Sequence, residues 1–285
     1  MKTQLDCVPC FLDQALRAAR VAGASEDVQR EVLRRAAAQI ATADWDATPI
    51  ALGMPVHRIA RELTGAADPY AEVKRESNQA ALALYAGLRR EVAAADDQIR
   101  LAAALAIAGN SIDHGAKTRF DLDATLDRAR EVRFAVDDFD RLAQALASAE
   151  SLIIFCDNAG EIVFDRLLME TILDRHPIRR VSAVVKSGPF INDATETDAR
   201  EAGLTDIPNL QLLQVNNGDD DDAPAYESDE VRGWVRDHDV VISKGQANYE
   251  ALSEYDGVFY LLMAKCECIA NEVGAALGDI ILQYR

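Results

Sequence analysis

Ser151-Leu-Ile-Ile-Phe-Cys-Asp-Asn-Ala-Gly-Glu161 is the stretch that decides how this chain folds. A short apolar run stops at Asp157 and Asn158, and Ala159-Gly160 opens an amphipathic run from Glu161 onward. A buried parallel strand ends in this way when it carries polar side chains to the edge of an open α/β sheet, where such folds bind ligands. A carboxylate beside a carboxamide at that edge offers hard oxygen donors suited to a divalent cation.

Toward the C-terminus the pattern repeats. Apolar runs at 151–156, 180–185, 210–215, 239–242 and 257–263 alternate with helix-like stretches at 160–175, 196–203, 227–237, 246–254 and 267–277. This alternation predicts a Rossmann-like, mostly parallel sheet with flanking helices. Toward the N-terminus, residues 9–22, 26–42, 55–64, 70–94 and 96–108 repeat Ala, Leu, Ile and Val at helical spacing, with Pro9 in a first turn and helix starts at Ser25 and Asp68. Strong β signals are missing there. The expected organisation is therefore an α/β protein with an N-terminal helical bundle, 1–147, followed by a doubly wound domain, 148–285, whose strand ends carry the candidate cation ligands.

Composition narrows the function. The 285 residues carry a formal charge of −18, from 48 acidic and 30 basic residues. Nucleic acid and anionic membrane are poor partners for such a chain, because approach begins against repulsion. A small anionic substrate is still admissible, since a bound cation and a few local lysines invert the local field. No run approaches the roughly 18 apolar residues of a membrane span. The opening Met1-Lys-Thr-Gln-Leu-Asp-Cys7 has no apolar leader core, which predicts a cytoplasmic protein. Nothing in the pattern sets the oligomeric state.

Five cysteines do not make a disulfide scaffold in a chain this long. Cys7 and Cys10 form a CxxC and Cys266 and Cys268 a CxC. They could make a zinc site only by meeting in space; reduced thiols against the N-terminal helix are the simpler reading. The connection at 216–226 carries four consecutive Asp, yet it lacks EF-hand spacing and reads as a solvated loop.

The strand ends carry the chemistry. The second α/β strand ends at Lys186 and runs on through Asn192 and Asp193; the fourth ends at Lys244-Gly245, with Asn248 and Glu250 in the helix beyond; the fifth ends near Lys265. Right-handed connections place these ends on one rim. Buried charges there cost several kcal/mol unless paired or bound to ions, which ordinary turn punctuation does not explain. In the helical half, Gly109-Asn-Ser-Ile-Asp-His-Gly115 interrupts an apolar helix. Asn110 and Asp113 become substrate contacts if the bundle covers the rim; His114 is more simply structural, and His57, His176 and His238 have no convergent partners.

The combination of Cys7-Val-Pro-Cys10, Gly109-Asn-Ser-Ile-Asp113, Cys156-Asp-Asn-Ala-Gly-Glu161, Lys186-Ser-Gly-Pro-Phe-Ile-Asn-Asp193 and Ser243-Lys-Gly-Gln-Ala-Asn-Tyr-Glu250 resembles the damage-control phosphatases, domain-of-unknown-function family 89, in the prokaryotic branch marked by the early CxxC. The resemblance covers nearly the whole chain. It implies an N-terminal helical bundle packed on a Rossmann-like domain that carries the metal site, a divalent cation (Mn, Co, Ni or Mg) on Asp157, Asn158 and Asp193, and substrates among small phosphorylated metabolites such as sugar phosphates or damaged cofactor-like esters. Ala247 stands where a second glycine is common. The CxxC receives no catalytic role from the resemblance.

Elementary chemistry agrees with that expectation. A phosphate monoester dianion repels nucleophiles, so a site must neutralise its oxygens and align an in-line attacker. A cation on Asp157, Asn158 and Asp193 would do the first and hold a water for the second. Lys244 and Lys186 are expected to contact phosphate, Gly245 and the following helix start to cradle it, Asn248 to bind substrate, and Glu161 or Asp193 to accept the proton. Direct attack by Asp157 stays open, although the Asp-x-Asp pair of aspartyl-phosphate enzymes is missing. Two other readings remain: a nucleotide-dependent transferase, for which no GxGxxG or P-loop is present, and a non-catalytic metal-responsive binding protein.

Overall fold

Helix-forming sequence dominates the chain up to residue 130, and its starts are chemically marked. A computed structural model describes residues 1–111, 118–131, 133–216 and 222–285. The first helices are α1 (Cys7–Val21), α2 (Glu26–Ala41), α3 (Pro49–Thr64), α4 (Ala71–Ala94), α5 (Gln98–Ala108) and α6 (Thr118–Arg130). The side chains of Ser25, Thr48 and Asp97 accept from the N–H groups of Val28, Ala51 and Arg100, donors that a helix start otherwise leaves orphaned. α3 begins earlier than expected. The expected start at 55 lies inside the helix, because Pro49 behind the Thr48 cap takes the first turn.

After a short strand β1 (Val136–Asp137) and helix α7 (Phe139–Leu146), the chain alternates through β2 (Ser151–Phe155), α8 (Glu161–Arg175), β3 (Arg180–Lys186), α9 (Glu196–Glu201), β4 (Leu210–Val215), α10 (Asp229–Asp237), β5 (Val240–Lys244), α11 (Gly245–Leu252), β6 (Val258–Met263), α12 (Glu267–Val273) and β7 (Ile280–Tyr284). The fold is mixed α/β on one seven-stranded sheet of order β1-β7-β6-β5-β2-β3-β4. Every pairing is parallel except β6 with β7. β1 and β7 were not foreseen: β1 spans two residues, too short for any periodic signal, and β7 follows α12 after Gly274 ends that helix short of the expected 277.

Strand β2 is central, with Ile154 paired beside Ala183 of β3 and Ile242 of β5. Successive β2 residues face opposite layers, as pleating requires. Ile154 joins a core with Leu88, Leu105, Ile107, Leu168 and Phe259, so helices from before residue 148 and strands from after it share one apolar interior. Ile153 and Phe155 face the other layer, with Val241, Tyr249 and Tyr260. A third cluster, with Phe11, Ala15, Val32, Ala36 and Val56, binds α1, α2 and α3 to one another. Among the described residues no helix is long and apolar enough to cross a membrane.

Two stability predictions follow from this packing. Ile154→Ala removes a fully buried side chain from the central strand and is expected to lower unfolding free energy by about 2–5 kcal/mol in chemical denaturation. His57 of α3 packs edge-on against Phe190 at 4.7 Å, with Nε2 3.1 Å from Gln14 Oε1. Burial, with a contribution from Arg61, pushes its imidazole down to about 4. The folded chain therefore binds fewer protons here than the unfolded chain, so stability is full above about pH 6.5 and falls as pH drops toward 4, by up to roughly 3 kcal/mol. His57→Gln should flatten that slope in pH-dependent thermal unfolding.

Candidate active site

From β2 the chain moves outward through β3 and β4, then returns to lay β5 on the other flank of β2. That reversal opens a crevice beyond the carboxyl ends of β2 and β5. Asp157 and Asn158 follow β2, and Gly245 opens α11 directly after β5. Gly245 has φ +76°, and a Cβ built on it would lie 1.8 Å from Asp157 Oδ2. Only glycine lets α11 begin so close to that carboxylate.

Backbone bonds hold the two acidic loops face to face. The Ala194 N–H donates to the Asp157 carbonyl at 2.8 Å and the Ala159 N–H to the Asn192 carbonyl at 2.9 Å, while Asn158 and Asp193 pair as an isolated bridge. Asn110, in the tight turn after α5, reaches across from the helical side. Its Nδ2 donates to Asp157 Oδ2 at 3.0 Å, and its Oδ1 accepts from Asn158 Nδ2 at 3.1 Å. Asp157, Asn158, Asp193 and Asn110 all line one cavity of about 890 Å³, whose opposite wall includes Cys7, Phe11, Gln14 and Arg17 of α1. Asp113 and His114, with 217–221 of the acidic connection, lie outside the described residues.

Asp193 is buried, and its Oδ2 has no hydrogen-bond partner. The nearest cation is Lys186, whose Nζ stands 3.9 Å away. Burial raises the Asp193 carboxyl to about 7 against the pull of Lys186, and the charge of Asp157 adds to the rise.

Three residues expected to contact substrate, Lys244, Lys186 and Asn248, and the expected proton acceptor Glu161 instead support the site from beneath. Lys244 is 0 % exposed, and its ammonium donates to Glu161 Oε1 at 2.7 Å, Asp165 Oδ1 at 2.5 Å and the Ala106 carbonyl at 3.0 Å. An ammonium has three donors, so none is left for phosphate. Burial alone would lower this lysine, but Asp165 and Glu161 outweigh it and hold it protonated. Glu161 Oε2 accepts from Asn158 Nδ2 at 3.2 Å, so both its oxygens are engaged and it does not face a water in the cavity. Burial raises it to about 8 against Lys244, with Asp165 and Asp157 adding to the rise. Lys186 donates to Tyr226 and, at 2.9 Å, to Asn248 Oδ1. Asn248 Nδ2 donates to the carbonyls of Lys244 at 2.8 Å and Cys156 at 3.0 Å, tying the ends of β5 and β2 together. The long lysine side chains turn inward under the rim, a direction that strand-end position alone does not reveal.

Other groups take the cavity positions. Gln246, Ala247, Glu250 and Lys265 line it, and Lys265 is its one lysine among the described residues. Burial raises the Glu250 carboxyl to about 8, opposed by the N-terminal ammonium and reinforced by Asp157. The helical periodicity of α11 was the signal for Glu250, because it lies one turn beyond Gln246 on the same face. Cys7, Cys10, Cys266 and Cys268 line the cavity as well, so the two pairs do meet. All are free thiols, and burial raises Cys7, Cys10 and Cys268. Among the described residues no group of three or more His, Cys, Asp or Glu side chains is assembled to hold an ion.

Fold and site define a doubly wound α/β protein with an oxygen-rich, acidic crevice at its switch point, walled on one side by helices. Comparison with known proteins gives the family. The family model described as damage-control phosphatase ARMT1-like domain matches residues 3–281. The chain is 31 % identical over 289 residues to a damage-control phosphatase of Archaeoglobus fulgidus, covering 99 % of this chain and 98 % of that one. It is 30 % identical to damage-control phosphatase PH1575 of Pyrococcus horikoshii, covering 99 % and 97 %. A crystal structure of a DUF89 family protein from Pyrococcus horikoshii superposes with a TM-score of 0.84 at 27 % identity, over 100 % of this chain and 99 % of the other. The chain belongs to the damage-control phosphatase ARMT1-like family.

The Gly245 contact is directly testable. Gly245→Ala and Gly65→Ala both place alanine at positive φ, but nothing lies within 4 Å of a Cβ at Gly65. Each should lose about 1 kcal/mol or more in denaturant unfolding from backbone strain. Gly245→Ala should lose clearly more, and equal losses would mean that Asp157 is not pressed against Gly245.

Proposed function

We propose that this chain hydrolyses small phosphorylated metabolites, sugar phosphates or damaged cofactor-like phosphate esters, with a divalent cation (Mn, Co, Ni or Mg) held by Asp157, Asn158 and Asp193. The observation that carries this reading is Asp193 Oδ2, an acceptor buried beside the cavity with no partner. A buried unsatisfied oxygen is costly, and a cation is the ligand that relieves it best. Charge supports the same reading: in the buried shell around Asp157 the carboxyls of Asp157, Glu161, Asp165 and Asp193 are set against the ammonium groups of Lys186 and Lys244, with Lys74, itself paired with Asp68 and Asp198, acting on Asp193. The donors are all oxygen, two carboxylates and an amide. Asn158 Nδ2 is taken up by Asp157 Oδ2 and its neighbours, which leaves Oδ1 as the atom through which Asn158 would hold the cation. The names of the relatives support phosphate-ester substrates.

When bound, the cation supplies charge neutralisation at the phosphoryl oxygens and a lowered pKa for water. The chain's own groups do the rest. The start of α11, with Gln246 and Ala247 at the cavity, presents backbone N–H groups to a phosphate as helix N-termini do. Lys265 takes the phosphate-facing role that the buried Lys244 and Lys186 do not fill. Glu250, kept protonated near neutral pH by burial, is the cavity acid suited to protonate the departing oxygen. Phe11, Tyr70 and Phe190 give the cavity apolar wall against which a non-phosphate moiety packs.

Protein stripped with chelator should lose hydrolysis of p-nitrophenyl phosphate and of a sugar-phosphate panel, and regain it on adding manganese or cobalt. Asp157→Ala and Asp193→Ala, each folded by circular dichroism, should lose at least about 100-fold in kcat/KM, roughly 3 kcal/mol of transition-state stabilisation. Full metal-dependent turnover in either variant would remove the ligand assignment. Metal binding with no turnover across the panel would instead fit a metal-responsive binding protein.

A further inference from the structure

Asn78 of α4 does not line the cavity, yet it is 0 % exposed and bonds both the turn after β2 and the helix that follows the Asp193 loop. Its Oδ1 accepts from the Gly160 N–H at 2.6 Å, and Gly160 closes the Asp157–Gly160 turn with φ +79°. Its Nδ2 donates to Asp198 Oδ1 at 3.0 Å and to Glu201 Oε2 at 3.1 Å. Asp198 in turn accepts through Oδ2 from the Thr195 N–H at 2.9 Å and the Thr195 hydroxyl at 2.8 Å, closing the capping box of α9 two residues after Asp193. The amide orientation is fixed by its surroundings, since reversal would set Nδ2 against an N–H donor and Oδ1 against two carboxylates. One turn earlier on α4, the Lys74 ammonium lies 2.8 Å from Asp68 and 3.3 Å from Asp198, which keeps the buried Asp198 charge paired.

We propose that Asn78, through Gly160 on one side and Asp198 on the other, is a positioning residue that sets the separation of Asp157 and Asp193 and so the affinity of the site for its cation. The inference rests on the metal-site reading above. Physically, Asn78 is the clamp by which the helical half reaches both loops. Without it the Gly160 N–H is a buried donor with no acceptor, and the turn carrying Asp157 is free to relax away from Asp193. Groups hydrogen-bonded directly to metal ligands typically change metal affinity by about 10- to 100-fold, and Asn78, which reaches the ligands through Gly160 and Asp198, is expected at the lower end of that range.

The test is manganese affinity, measured by calorimetry on the apo full chain, alongside thermal unfolding. Asn78→Ala should weaken Mn²⁺ binding at least about 10-fold. Asn78→Asp alone should do the same, because it keeps the Gly160 acceptor but sets a carboxylate against Asp198 and Glu201. In a Glu201→Gln background, which gives the second partner of Asn78 a donor of its own, Asn78→Asp combined with Asp198→Asn exchanges the two groups, restoring a donor between them and an acceptor for Thr195, and should recover most of the affinity that Asn78→Asp loses; a merely destabilising pair would not. Unchanged Mn²⁺ affinity in a folded Asn78→Ala, or no recovery in the exchanged pair, overturns the inference. Should Asn78→Ala fail to fold, the exchange pair against Asn78→Asp decides alone. A wild-type chain that binds no Mn²⁺ refutes the metal reading itself, so the two failures are distinguishable.

Discussion

The buried ammonium of Lys244 is the interaction on which the site depends. Its contacts with Glu161, Asp165 and the Ala106 carbonyl join β5, α8 and α5 in one place, directly below the Asp157–Asn158 turn. A charged group this far from water is tolerated only when fully bonded, and removing the lysine would leave Glu161 and Asp165 as two buried acids without their cation. The turn above is therefore built on a rigid, charge-coupled base. Glu161 passes the constraint upward, because its second oxygen accepts from the Asn158 amide.

A second constraint arrives from the side. The helical half does more than cover the sheet edge: Asn110 binds the Asp157 carboxylate, Asn78 binds the Gly160 N–H, and α1 forms a wall of the cavity. The apolar interior makes this coupling firm, since α5 is buried from Leu101 onward and shares its core with β2, β5 and α8. Such packing transmits small displacements instead of absorbing them. The arrangement leaves the crevice with more buried acid than buried base, the electrostatic condition under which a divalent cation is held.

Much of the fold was legible in the sequence. The apolar runs that became β2 to β6 and the helices between them were marked by period, and the start of α2 by its capping residue Ser25. What escaped was one short strand, its neighbour and one helix start: β1 has two residues, β7 lies between β1 and β6 and runs antiparallel to β6, and α3 begins before the expected 55. For the site, the convergence of Asp157, Asn158 and Asp193 was legible because strand ends in a doubly wound sheet share a rim. The positions of Lys186, Lys244, Glu161 and Asn248 were not, because a strand-end lysine can point into the cavity or beneath it with the same sequence pattern.

By itself, then, the sequence determined which residues could reach the switch point, since alternation of strand and helix and the handedness of the connections leave few alternatives. Tertiary structure alone decided which of them face the cavity and which hold it up. The reason is charge compensation in a dry interior: Lys244 and Lys186 found buried partners from elements up to 138 residues away, in Ala106 of α5 for Lys244, and those distant bonds turned both lysines away from the cavity.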